Sequence, residues 1–89
     1  MKAVITVIGK DSVGILAKVS SECAAVDANI IEVTQSVLQD MFAMIMLVEI
    51  GNSSVGFDEI AGRLENVGKK TNTKIHIMHE DIFNSMHKI

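Results

Sequence analysis

Residues 2–8, KAVITVI, are β-branched and almost continuously apolar, the pattern of a strand covered on both faces. GKDS follows, and then Leu16, Val19, Cys23 and Val26 recur at helical spacing, which predicts one inward stripe. Asp11 or Ser12 stands where it can cap this helix, with Val13 and Gly14 in the first turn. Asp27, Ala28 and Asn29 end it. Residues 30–38, IIEVTQSVL, alternate: Ile31, Val33 and Val37 fall on one side, Glu32, Thr34 and Ser36 on the other. That predicts a strand with one buried face. Gln39 and Asp40 make a hairpin turn into MFAMIMLVEI at 41–50. Phe42, Met44, Met46, Val48 and Ile50 share one side of this third strand. Met41, Ala43, Ile45 and Leu47 share the other, so both faces need cover.

GNSSVG at 51–56 is a loop in which Ser53 or Ser54 can cap a second helix, with Asp58 and Glu59 suiting its first turn. Phe57, Ile60, Leu64 and Val67 form the second helical stripe, and Gly68 with KKTNT ends it. KIHIMHE at 74–80 is a last strand with Ile75 and Ile77 pointing together. The tail DIFNSMHKI is expected to make one or two helical turns, with Ile82, Phe83 and Met86 as apolar contacts. The order β-α-β-β-α-β predicts an α+β, ferredoxin-like sandwich. Its antiparallel sheet has strand order 4-1-3-2, with two helices on one face. Residues 1–80 form the domain, and 81–89 are a tail that packs on the domain or on a partner. The two most apolar strands are then the central ones. The helices reach only one face of the third strand, so a partner subunit or the tail must cover the other.

Composition sharpens this picture. A chain of 89 residues suits one domain with a modest core. With 48% hydrophobic residues, six Met and neither Trp nor Tyr, that core is aliphatic and adaptable. The apolar excess is more than one small core can use, and pairing with a second copy is one remedy. A formal net charge of −3 argues against nucleic acid as the main partner. The apolar run at 41–48 is too short to span a bilayer, and the N-terminal run reads as a strand rather than a signal peptide. A single cysteine, Cys23, excludes an internal disulfide framework and is compatible with a reducing cytoplasm.

The candidate chemistry gathers at VIGKDSVGIL, residues 7–16. Gly9 and Gly14 have the spacing of a phosphate-binding loop, but Ile15 and Leu16 stand where Lys and Ser/Thr are required. Asp11 likewise replaces the second glycine of the dinucleotide fingerprint. What remains is a helix N-terminus, whose first amide hydrogens lack internal partners and attract a small carboxylate or phosphate. Gly14 serves either to admit such a ligand or to let the helix pack closely on the sheet. His76 and His79 lie three apart on a strand and point to opposite faces, so they do not share one ion. His79 with Asp81, or with His87 folded back, leaves a metal reading open. The plainer reading is polar residues at a strand edge and tail. Cys23 shares the phase of the first helical stripe and reads as a small buried hydrophobe. Glu32 and Glu49 have no neighbouring acid, base or nucleophile, and no Ser/His/Asp set with workable geometry is evident. No cofactor and no metal is expected.

The element order and the stretch VIGKDSVGILAKVSSECAAVDANII at 7–31 resemble the ACT domain, a regulatory module whose members commonly bind amino acids or other small metabolites. The ending HEDIFNSMHKI looks like the small stand-alone members related to the glycine cleavage system regulator. The resemblance implies side-by-side pairing through the second strand and first helix, with ligand between the loop of one subunit and the start of the second strand of the other. Carried to this chain, the implied ligand-binding residues are Asp11, Ser12, Val13, Gly14, Ile15 and Leu16, facing Asn29, Ile30 and Ile31 of a second copy. Many amino-acid-binding members carry Asn or His-x-Asn before Pro-Gly; here Asp11-Ser12-Val13-Gly14 stands there, and the chain has no proline. The expectation is a non-catalytic, cytoplasmic, homodimeric sensor domain for a small metabolite, an amino acid by preference, with no nucleic acid or membrane partner. A protein-interaction module without ligand, or a small enzyme or metal-binding protein of the same fold, is the alternative.

Overall fold

The computed structural model describes residues 1–10 and 13–86, Leu38 by its backbone alone. Strand β1 (Lys2–Gly9) leads to helix α1 (Ile15–Ala25), strands β2 (Asn29–Leu38) and β3 (Met41–Glu49), helix α2 (Phe57–Thr71), strand β4 (Lys74–His79) and helix α3 (Glu80–Met86). The sheet runs β2-β3-β1-β4 with every neighbouring pair antiparallel. Read from the other edge, this is the expected 4-1-3-2 order.

Pairing register sorts each strand into two faces. Ile5 opposes Met46 and Ile77, and Val7 opposes Met44 and Ile75. These side chains meet α1 and α2 in one continuous core, which also holds Ala3, Phe42 and Val48. From α2 come Ile60, Leu64 and Val67, as the stripe predicts, with Phe57 packed against the cluster. Phe57 also stacks on His79, ring centroids 4.5 Å apart and planes at 16°, fastening the start of α2 to the end of β4. Helix α1 corrects the sequence expectation by one residue. Ile15, Val19, Cys23 and Val26 are buried, whereas Leu16 is 37% exposed. The reason is its start: Gly14 is the N-cap, in left-handed backbone (φ 74°), and Val13 lies outside the helix. Val13 and Gly14 therefore precede the first turn instead of lying in it, and the cap expected at Asp11 or Ser12 falls outside the described residues.

Three further expectations are corrected. Ser53 and Ser54 do not cap α2; Gly56 holds that position, and the Ser53 hydroxyl instead donates to the Val55 carbonyl at 2.8 Å. Gly68 does not end α2. It sits inside the last turns, where an added Cβ would lie 2.9 Å from the Thr73 carbonyl oxygen, so its bareness lets the helix close on β4. The helix ends instead at Asn72, a residue in left-handed conformation of the kind that stops helices. Strand β2 has no buried face on the Ile31, Val33 and Val37 side; it is an edge strand, and all three are exposed. A register shift between Ile30 and Glu32 also leaves Ile31 without a partner across the ladder.

The outer face of the sheet is covered at one end only. Helix α3 folds back there, and Phe83 and Asn84 border a small groove with Val4, Ile45 and Leu47. Val4 is thereby buried and Leu47 partly so, while Met41, Ala43 and Ile45 remain exposed. Within α3, Phe83 is half-buried but Ile82 and Met86 face outward, against the expectation that all three make contacts.

Candidate functional site at the start of the first helix

Chain geometry at the β1–α1 junction follows from two glycines with different tasks. At Gly9 an added Cβ would fall 2.6 Å from the Thr73 γ-methyl, so glycine allows the end of β1 to run against the segment before β4. At Gly14 the same construction meets nothing within 4 Å, and the need is conformational. Gly14 therefore does not let α1 pack on the sheet. It turns the chain into the helix and leaves open space beside the first turn.

That first turn is polar where it faces out. The first amide to find a helical partner is that of Lys18, which donates to the Gly14 carbonyl at 3.0 Å. The first amides of any helix have no partner within the helix itself. Among the described residues no side chain caps them, and the first turn carries no acidic residue to offset the dipole. Ile15 is buried and pins the turn to the core, so the donors are held in a fixed direction. Val13 and Leu16 supply an apolar rim. Helix α2 is the contrast: Asp58 and Glu59 fill its first turn. An anion is favoured at α1 and opposed at α2.

Asp11 and Ser12 lie outside the described residues. The remaining members of the expected site are not brought together by one chain. Gly9 pairs with Phe42 and Phe42 with Val37, at one end of the sheet. Asn29 pairs with Glu49 and Glu49 with Lys2, at the other. Seven residues of strand separate the two ends, about 23 Å. Asn29 and Ile31 are exposed at the β2 edge and Ile30 is half-buried against the core.

Other chemistry is sparse. His76 opposes Thr6 on the outer face and His79 opposes Ala3 on the core face, so the two histidines diverge as their spacing predicts. His87 lies outside the described residues. Among the described residues no three His, Cys, Asp or Glu side chains converge to hold an ion. Cys23 is buried; burial pushes its thiol above the ordinary value of 9.0, with the Glu22 carboxylate adding to the shift. It is a packing residue, not a nucleophile. An open groove of about 740 Å³ touches the loop at Gly9 and Lys10, then runs past Lys69, Lys74 and His76. The sequence pattern contains no signal for it, because its walls come from three separate segments.

Comparison with known proteins agrees with this architecture. The family model for the ACT domain matches residues 2–77. A UPF0237 protein of Clostridium acetobutylicum is 48% identical over 89 residues, covering 100% of both chains. The solved ACT domain protein from Streptococcus pneumoniae superposes with a TM-score of 0.81 at 38% identity over 93% of each chain. The regulatory subunit of aspartate kinase from Thermus thermophilus, in its ligand-free form, shares the fold at a TM-score of 0.65 and 24% identity, over 86% of this chain and 50% of that one. Element order, sheet order and sequence thus agree along nearly the whole length, and the chain belongs to the ACT domain family.

Proposed function

We propose that this protein is a non-catalytic sensor domain that binds a small metabolite, an amino acid by preference, at the interface of a homodimer. The observation that carries the reading is the start of α1, which among the described residues has no side-chain cap, open space at Gly14 and no acid in the first turn. A ligand carboxylate accepts hydrogen bonds from the amides of Ile15 and Leu16. The carboxylate of Asp11 suits the ligand ammonium, and the Asn29 amide of the second copy can serve either group.

The second copy follows from the sheet. β2 is an edge strand, and its exposed Ile31, Val33 and Val37 are apolar side chains at an unpaired backbone. Two such edges related by a two-fold axis run antiparallel, which sets the start of one β2 beside the end of the other. The end of β2 is also the loop end of the sheet. Asn29, Ile30 and Ile31 of one copy then approach Val13 to Leu16 of its partner. The same fold occurs in a regulatory subunit of aspartate kinase. The lone buried thiol suits a reducing cytoplasm.

Titration calorimetry with a panel of amino acids tests the reading. Saturable binding by wild type and its loss in Asp11→Ala are the expected results. No binding by wild type, or unchanged binding by Asp11→Ala, defeats it. The Asp11-Ser12-Val13-Gly14 sequence, without proline, favours a second reading: an interaction module that docks on a partner protein without ligand. A thermal-shift screen separates the two, since only the sensor gains stability with ligand concentration.

A further inference from the structure

The outer face of the sheet carries two unmatched features. At the loop end, Ile8, Met41 and Ile45 are 46%, 41% and 43% exposed. At the opposite end, α3 presents Ile82 and Met86, 50% and 65% exposed, one helical turn apart. Apolar side chains in such a cluster mark an interaction surface. Along β4 charge divides the same way. Lys74 stands at the loop end of β4, opposite Ile8, with Lys10 and His76 bordering the same groove. Glu80 and Asp81 open α3 at the far end of β4.

We propose that a second copy of this chain packs back to back on this face, each α3 covering the half of the partner's sheet that its own α3 leaves open. The symmetry is fixed by the layout. A two-fold axis lying between the sheets, perpendicular to the strands, exchanges the two ends of the face and keeps each strand over its counterpart. The partner's α3 then arrives over Ile8, Met41 and Ile45. Because α3 begins directly after β4, its acidic first turn arrives over the other end of β4, at Lys74. A closed two-fold contact requires a patch that is complementary to itself, and this one sets an apolar helix face on an apolar cluster and the acidic end of β4 on its basic end. The contact uses the outer face, not the β2 edge, so both can form in one assembly and give a tetramer.

Sedimentation velocity on the full chain tests this, with circular dichroism to verify that each variant folds. Wild type is expected to be a tetramer. Lys74→Glu and Asp81→Lys, both at exposed positions, each reduce it to a dimer, and the double variant restores the tetramer. Met86→Asp acts as the single variants do. Val37→Lys, which breaks only the β2 edge, leaves a back-to-back dimer. The proposal is overturned if Lys74→Glu, Asp81→Lys and Met86→Asp all leave the wild-type mass unchanged, or if Val37→Lys yields monomers. A wild-type dimer that Lys74→Glu splits and Val37→Lys does not would uphold this contact and refute the side-by-side one.

Discussion

Gly14 separates two roles that glycine often combines. Its backbone is left-handed, φ 74° and ψ 0°, yet among the described residues nothing beyond its chain neighbours lies within 4 Å of where a Cβ would stand. Gly14→Ala is therefore a pure test of backbone strain, and a loss of about 1–2 kcal/mol in urea unfolding is expected. Gly14→Asn should recover part of that loss, since Asn tolerates this conformation better than Ala. Gly68 is the opposite case, because the Thr73 carbonyl blocks a Cβ at 2.9 Å in ordinary helical backbone. Gly68→Ala should cost about 1–3 kcal/mol by overpacking, read the same way. Cys23 gives a pH test. Its folded thiol ionises above the ordinary 9.0 because burial disfavours the thiolate. Its contribution to stability is whole below that value and declines as pH rises past it, because the unfolded chain then loses the proton first. Unfolding free energy measured from pH 8 to 10.5 should fall more steeply for wild type than for Cys23→Ala. A thiol reagent should label the protein only upon unfolding.

At the scale of elements, the core pattern was legible in the sequence where one face alone is buried and the period is clean. The stripe Ile60, Leu64, Val67 in α2 is such a case, and Leu64→Ala should cost about 2–5 kcal/mol in chemical denaturation. In β3 the alternation separates the two faces, but both are apolar, so it does not tell that Met41, Ala43 and Ile45 stay exposed. Periodicity fails where backbone geometry changes phase. A glycine cap shifts the start of α1 and exchanges Leu16 for Ile15 in the core. An unpaired Ile31 in β2 breaks the alternation that otherwise reads as one buried face. Edge position was deducible from the strand order, but its consequence for Val33 and Val37, exposure, depends on how far α1 reaches across the sheet. Helix caps were the least legible: both helices start at a glycine, though serine and aspartate stand nearby in sequence. The candidate site was legible in part. The glycine-containing turn and the open helix start can be read from residues 7–16, but only pairing register reveals that Asn29 lies at the far end of the same sheet.

For the whole molecule, the proposed sensor needs two half-sites that one chain holds apart. About 23 Å of sheet lies between the α1 start and the β2 start, a distance that side chains do not bridge. The exposed apolar β2 edge supplies a reason for two copies to meet, and the two-fold axis that joins the edges also joins the half-sites. Ligand binding and association are then linked, so the apparent affinity of the dimer should rise with amino-acid concentration. Mixing two damaged chains tests this shared pocket most directly. Asp11→Ala and Asn29→Ala, each unable to bind in calorimetric titration, are combined and allowed to exchange subunits. In a mixed dimer one pocket carries both defects and the other carries none. Binding should return at wild-type affinity with about one quarter of the wild-type sites. If the mixture binds no better than its parents, the pocket is not built from two chains.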